Sequence, residues 1–398
     1  MLATFFTSLS KKKVLLIATI LLVLLVFFRF SFGGFNFSHF VVAGSDFAVA
    51  DSLHPHFIIN EGQGYDGQFF YRYAHAPLDT AKTAYGVTVD HIEYRMQRIV
   101  YPAAIWFFSG GGSPGIIPFL MVFFNLLAFI GLIVLSLKIV EYYKSGYPLA
   151  LLPLLLFGVY MSLARDTSEL FEVFFFVVAV YAIIKNNIFM FLIGVLLAIF
   201  SRETSILAIA PLTFIYGIKL LKENQFNGSL ILKGMFLALP FLLLAAWKYY
   251  LHQVIDSEQL VDGSQNLSYP FYGMYYGAKN NLNFSTTISI LESLFWFVFF
   301  SWNVWLVGCV LKIINYKKLV TLDVSSMLSL VYLGWLIFAL FLGPAIYVDD
   351  WGYVRVFGLW NMLGFLLIMI KNKPLNPFFL IYSYGILGLL LIRLIVRV

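Results

Sequence analysis

Charge and sulfur are what this chain has least of. Its single cysteine, Cys309, can close no disulfide within the chain, so no covalent framework holds the fold. Asp, Glu, Lys and Arg make up only 12% of the 398 residues, about half the share in a soluble domain. So little charge cannot solubilise a chain that is 61% hydrophobic. No phosphate-binding glycine loop and no Gly-x-Ser-x-Gly elbow occurs. The net charge of +6 is scattered over loops rather than gathered in a patch, so it gives no footprint of a nucleic-acid binder.

What is there is a series of apolar runs, many near the length of about 20 residues that a bilayer requires. The first, 14–32, follows Lys11, Lys12 and Lys13. A signal peptide has the same basic start, but a shorter apolar region and a small-residue cleavage site, so this run reads as an uncleaved anchor. A polar stretch follows at 33–98, too long for a turn and rich in Gly, Asp and aromatic residues. The run 99–108 is short, a short or re-entrant helix ending at Gly110, Gly111 and Gly112. Further runs lie at about 115–140, 147–163, 168–185, 188–201, 204–222, 230–251, 286–312, 323–346, 354–371 and 375–396. Several are shorter than a bilayer needs, and 188–201 reads as tilted, partial or packed inside the bundle. The expected fold is an all-α polytopic membrane protein of about eleven transmembrane helices, one membrane domain over 1–398 with partly helical external loops. A second long polar loop covers 252–285.

Lysine counting sets an expected orientation. With Lys11 to Lys13 cytoplasmic and the spans alternating, Lys138, Lys144, Lys185, Lys219, Lys222, Lys312 and Lys371 also fall inside. The loops 33–98 and 252–285, the segment 165–172, the pair Arg202-Glu203 and the segment 348–355 then lie outside. Nearly all the acids share that side. A charge within hydrocarbon costs a few kcal/mol or more, so Glu172 and Glu203 at span edges are expected to face a wet cavity or a partner.

The most informative stretch is Gly64-Tyr65-Asp66-Gly67-Gln68-Phe69-Phe70-Tyr71-Arg72-Tyr73. If 67–75 is a helix, Phe69, Phe70 and Tyr73 share the face of Asp66. A carboxylate at a helix start beside an aromatic wall suits a general base acting on a hydroxyl. The competing reading makes Asp66 an N-cap that accepts from the backbone N–H of Gln68 or Phe69.

This pattern resembles the GT-C superfamily of polytopic glycosyltransferases, which take sugars from polyprenyl-phosphate donors. Tyr65-Asp66-Gly67-Gln68-Phe69-Phe70-Tyr71 is similar to the Trp-Asp-Gly-x-Trp-Tyr motif of the PIG-V-like mannosyltransferase branch, with Tyr65 in place of Trp. Ser201-Arg202-Glu203-Thr204-Ser205 resembles an Arg/Lys-Glu-Thr element of several branches. The layout of one span, a long external loop, a bundle of uneven spans and a second large loop is similar too. The branch is unassigned.

The resemblance implies inverting transfer at the non-cytoplasmic membrane face. Asp66 would deprotonate the acceptor hydroxyl while the lipid phosphate leaves. Asp46, nearer the first span, is the rival base. A phosphate leaving group needs positive charge where negative charge develops. Candidates are Arg72, Arg95, Arg98, Arg165, Arg202 and Arg355, with Tyr73 on the face of Asp66. Arg95 and Arg98, three apart, would grip a phosphate from one helical face; the plainer alternative is an interfacial belt of Arg and Tyr. Arg202 beside Glu203 equally reads as a structural ion pair. Arg355 enters on the resemblance, since late external arginines contact the lipid phosphate in some relatives. Arg165, Asp166, Glu169 and Glu172 would bind sugar or acceptor hydroxyls, or simply place acids at a helix N-terminus.

No cofactor is expected. His54, His56, His75, His91, Asp349 and Asp350 have no spacing that selects a metal. The expected partners are a polyprenyl-phosphate sugar donor, a glycan, lipid or protein acceptor, and membrane lipids; nucleic acid is not among them. The competing function is a transporter or lipid flippase, which calls for mid-span charges and a repeat between halves that the sequence lacks. A non-catalytic scaffold is the third reading.

Overall fold

The structure is a computed structural model that describes residues 9–223, 228–255, 266–282, 285–348 and 352–396. It is helical almost throughout, with two two-stranded sheets confined to the 33–98 segment.

Helix α1 (Lys11–Phe32) sets the pattern. Val14, Ala18, Leu22, Leu25 and Arg29 form its buried stripe at helical spacing. Leu16, Ile20, Phe27 and Phe28 lie exposed on the other faces. A helix whose outer face is as apolar as its inner face is at home in lipid, not water. The same holds for Gly228–Val254, which exposes Ile231, Leu232, Met235, Leu239 and Leu242. Among the described residues, seven helices are long and apolar enough to cross a membrane, or eight if one bent pair counts as a single span. The chain is therefore a multi-pass α-helical membrane protein.

The sequence expectation of about eleven spans is not reached by helix length. The run 188–201 is a helix over those residues (Ile188–Ser201), too short to cross alone. Glu169–Ile184 has only 16 residues. The run 147–163 breaks at Leu156 into Tyr147–Leu155 and Phe157–Arg165, bent by 64°. The run 323–346 ends as a helix at Ala339 and resumes as Pro344–Val348. The shortness of 188–201 was already visible in its run; that 168–185 and 323–346 also hold short helices is not revealed by hydropathy alone.

Between α1 and the next long helix the chain builds a compact cap. It contains α2 (Ser38–Val41), α3 (Gly67–His75), α4 (Ile92–Met96) and α5 (Val100–Phe108). Strand β1 (Ala43–Gly44) pairs in parallel with β2 (Ile59–Asn60), and β3 (Thr83–Ala84) pairs with β4 (Val87–Thr88). Tyr85 and Gly86 both have positive φ, as a two-residue hairpin of primed type demands.

The bundle continues through α6 (Ile117–Tyr142), α7 (Phe157–Arg165), α8 (Glu169–Ile184), α9 (Ile188–Ser201), α10 (Ile206–Glu223) and α11 (Gly228–Val254). Gly194 lets α9 close onto α8: a Cβ there would sit 2.7 Å from the backbone nitrogen of Ala179. From the second loop, α12 (Tyr272–Asn281) packs on the later short helix Pro344–Val348. Gly343 N–H donates to the Asn266 carbonyl at 2.7 Å, which pins the loop across the bundle end. Then come α13 (Thr287–Ile313), α14 (Val324–Ala339), α15 (Pro344–Val348), α16 (Gly352–Ile370) and α17 (Pro377–Val396). Helix α16 is nearly all buried and forms the axis.

Charge divides between the two ends. Lys11 pairs with Glu141 at 2.6 Å, and Lys185 lies over Tyr142, at one end. At the other, the end of α7, the start of α8, the end of α9 and the start of α16 meet under the cap, bringing arginines and acids together.

Candidate functional site

The site begins with how Asp66 is held. Gly64 takes a positive φ of 66°, and a Cβ on it would lie 2.3 Å from the Gly44 nitrogen. Tyr65 N–H donates to the Val42 carbonyl at 2.8 Å. A Cβ on Gly67 would lie 2.4 Å from the Arg165 carbonyl oxygen and 2.6 Å from that of Val41. Glycine at 64 and 67 therefore lets α3 start against both β1 and the end of α7. Inside the turn, the Gln68 side chain accepts from Gly44 N–H at 3.0 Å and donates to the Gln63 carbonyl at 2.8 Å.

Helix α3 covers 67–75, which meets the condition for Phe69, Phe70 and Tyr73 to share the face of Asp66, but Asp66 does not cap it: no side-chain cap hydrogen bond forms. Its Oδ1 is 2.9 Å from Arg95 Nη1, and its Oδ2 is 2.7 Å from Arg355 Nη2. Burial by itself would push the Asp66 carboxyl up. The guanidiniums of Arg95 and Arg355 outweigh it and hold the group well below the usual carboxylate range.

These contacts belong to a continuous chain of charge. Arg95 donates to both Asp90 oxygens, at 2.9 and 2.6 Å. Arg355 also donates from Nε to Glu169 Oε1 at 2.7 Å and from Nη1 to the Tyr65 hydroxyl at 3.3 Å. The same Glu169 oxygen takes Arg202 Nη1 at 2.5 Å. The order is Asp90, Arg95, Asp66, Arg355, Glu169, Arg202. Beside it, Arg98 grips Glu203 with two bonds of 2.8 Å. Aromatic faces line the cations: Arg95 over Phe69 at 4.2 Å, Arg98 over Tyr94 at 4.2 Å and Arg165 over Tyr65 at 4.4 Å.

A cavity of about 590 Å³ opens onto this chain. Asp66, Asp90, Arg95, Arg202 and Arg355 line it, together with Tyr65, Phe69 and Tyr94. The second loop contributes Asn266, and α15 contributes Ala345 and Ile346. That is room for a sugar ring and an anionic group beside an apolar wall.

Of the residues singled out from sequence, Asp66, Arg95, Arg202 and Arg355 line the cavity. Glu169 stands behind it as the partner of Arg202 and Arg355, and Arg98 and Glu203 pair with each other beside it. Arg165 lies over the ring of Tyr65, which lines the cavity. Asp166 is fully buried, with its backbone in the left-handed region at φ 49°. Arg72 turns away and pairs with Asp79 at 2.9 Å, and Tyr73 is buried beneath it. Asp46 is exposed and is not among the residues that line the cavity.

Two expectations change. Arg95 and Arg98 do not share one grip: the first holds Asp66 and Asp90, the second Glu203. Arg202 and Glu203 do not pair with each other. The extended backbone at Arg202 (φ −157°, ψ 122°) sends adjacent side chains opposite ways, so Arg202 meets Glu169 and Glu203 meets Arg98.

Sequence reasoning missed Asp90, Tyr94, Gln68 and Asn266. Tyr94 was legible, being four before Arg98 on one helical path. Asn266 was not, since only tertiary packing brings the second loop here. Among the described residues, no group of three or more His, Cys, Asp and Glu could hold a metal ion. His75 Nδ1–H donates to the Gly112 carbonyl at 3.0 Å, and burial holds its imidazole down to about 4. Asp349 and Asp350 lie outside the described residues.

No protein-family model, no curated protein and no solved structure matches this chain.

Proposed function

We propose that this chain is a membrane glycosyltransferase that moves a sugar from a polyprenyl-phosphate donor to an acceptor hydroxyl at the non-cytoplasmic face. The observation that carries the reading is Asp66, a carboxylate opening onto a cavity lined by arginines and aromatic rings, at one end of an apolar bundle. The lysines at the opposite end fit a cytoplasmic location for that end.

In the proposed step the acceptor O–H gives its proton to Asp66. The acceptor oxygen forms a bond to the anomeric carbon from the face opposite the phosphate. The bond from that carbon to the phosphate oxygen breaks, and its electron pair leaves with the lipid phosphate. Arg202 and Arg355 are suited to the charge that develops there. Phe69 and Tyr65 offer apolar faces for the sugar ring. No metal enters this proposal.

A transporter is the second reading, favoured by the 64° break at Leu156. That break lies among buried apolar side chains, and its freed Leu154 carbonyl accepts from Tyr160 Oη at 2.8 Å. Substrate-binding breaks in transporters present polar backbone to a cavity instead.

The test is to profile polyprenyl-phosphate sugars by mass spectrometry in cells lacking the gene, cells with it, and cells carrying Asp66→Asn. One lipid-linked sugar accumulating in both the deletion and the variant supports the reading and names the donor. Accumulation in the deletion alone, with the variant well expressed, moves the base away from Asp66. No change in any lipid-linked sugar sinks the glycosyltransferase reading in favour of the transporter.

A further inference from the structure

In the structure Asp66 is poorly set up to accept a proton. Both of its carboxylate oxygens are occupied by guanidiniums. Neither arginine is held there by Asp66 alone. Arg95 spends Nε and Nη2 on Asp90 and only Nη1 on Asp66. Arg355 is divided among Asp66, Glu169 and the Tyr65 hydroxyl.

Arg202 differs from both. It lines the same cavity and is nine-tenths buried, yet only its Nη1 is committed, to Glu169. Its Nε is buried without a hydrogen-bond partner. Among the described residues it is the cavity arginine with donors to spare. Arg202 and Arg355 also compete for one acceptor, Glu169 Oε1.

We propose that Asp66 is a clamped base which the donor's own phosphate releases. The anion docks on Arg202 and draws it away from Glu169. Glu169 Oε1 is then left to Arg355, which swings its share of bonding from Asp66 to Glu169 and the phosphate. One Asp66 oxygen becomes free to accept the acceptor proton. Glu169 is thus a positioning residue, acting on Asp66 through Arg355. This rests on the proposed glycosyltransferase reading and adds an order to it: donor first, acceptor second. It also gives a reason for the clamp, since an unoccupied site holds no competent base to activate water or a stray hydroxyl.

Linkage makes the idea measurable. If phosphate binding must unseat Asp66, then removing the Asp66 charge must strengthen phosphate binding by the same coupling, which for linked sites is typically about 5- to 150-fold. The experiment titrates a long-chain polyprenyl phosphate, carrying no sugar, onto the full chain in nanodiscs, unaltered and as Asp66→Asn. Binding at least about fivefold tighter in Asp66→Asn is the expected result. Equal or weaker binding in the variant overturns the clamp while leaving the lipid-phosphate reading in place. Absence of binding to either protein overturns both.

Arg202→Gln is expected to lose most of the affinity; unchanged affinity there would remove the docking step and with it the relay. A parallel titration with inorganic phosphate separates the sources. Tightening with both assigns the effect to the phosphate group, and tightening with the lipid alone assigns it to the membrane-held headgroup. Where Asp66→Asn does not yield folded protein, the unaltered chain answers the question. Carbodiimide labelling of Asp66, read on its peptide by mass spectrometry, is expected to rise at least about fivefold when polyprenyl phosphate is added. Unchanged or slower labelling counts against the clamp.

Discussion

Asp66 and Arg355 are 289 positions apart in the chain and 2.7 Å apart in the fold. The contact ties the start of α3, in the first loop, to the first turn of the axial helix α16. Because Arg355 also holds Glu169 at the start of α8, one guanidinium fastens three elements at the cap end of the bundle.

Removing that guanidinium should loosen the cap end. Arg355→Met leaves Glu169 to Arg202 and Asp66 to Arg95, so the acids keep one partner each. Taking one member from a buried ion pair costs about 3–5 kcal/mol, and the retained partners reduce this to roughly 2–4 kcal/mol. Denaturant unfolding of the purified chain checks it. A loss under about 1 kcal/mol would mean that the network is slack.

Arg98 and Glu203 form a bidentate pair, with Arg98 almost fully buried and its Nη2 also donating to the Tyr94 hydroxyl. Arg98→Met and Glu203→Gln are each expected to destabilise by about 2–4 kcal/mol. The double variant should cost clearly less than their sum, since each single change strands the other charge. Additive losses in a double-mutant cycle would show that the two side chains do not act as a pair.

The depressed Asp66 carboxyl gives stability a pH signature of known sign. A carboxyl whose folded value lies below its unfolded value of about 3.9 contributes stability that is complete above that value. The contribution is lost as the pH falls toward the folded value. The stability gap between the unaltered chain and Asp66→Asn should therefore be constant from about pH 7 to 5 and shrink below about pH 4. Paired unfolding curves across that range measure it, and a gap that widens on acidification would contradict the ion-paired state.

Gly67→Ala probes the placement of Asp66 without touching a charge. The added methyl would meet two backbone carbonyl oxygens, of Arg165 and Val41, and backbone cannot swing aside as a side chain does. Overpacking of this kind costs about 1–3 kcal/mol and shifts α3. Transfer should fall by at least about a hundredfold, since small misplacements at a reacting centre carry penalties of that order. Near-normal accumulation of product in cells expressing the variant would show that Asp66 needs no such exact seat.

Local pattern was legible where neighbours in sequence decide the structure. The spacing of Phe69, Phe70 and Tyr73 after Asp66 suited the helix found at 67–75, and the apolar run 188–201 matched the helix found there. The gathering of acids and arginines at span edges was also visible, because charge placed in hydrocarbon is too costly to sit elsewhere. Helix length across the membrane was less so. An apolar run reads the same whether it crosses lipid or packs inside a bundle, and 168–185 and 323–346 proved to hold short helices.

By itself, then, the sequence determined that this chain is a helical membrane protein with its ionisable groups at helix ends, because hydropathy is a sum over adjacent residues. Which acid meets which arginine was decided only by tertiary structure. Arg202 stands next to Glu203 in sequence and binds Glu169 instead, while Arg98 reaches Glu203 across 105 positions. Those pairings depend on the rotation and depth of helices far apart in the chain, and on a buried setting where each charge must find a partner at contact distance. Neither is a property of any short stretch of residues.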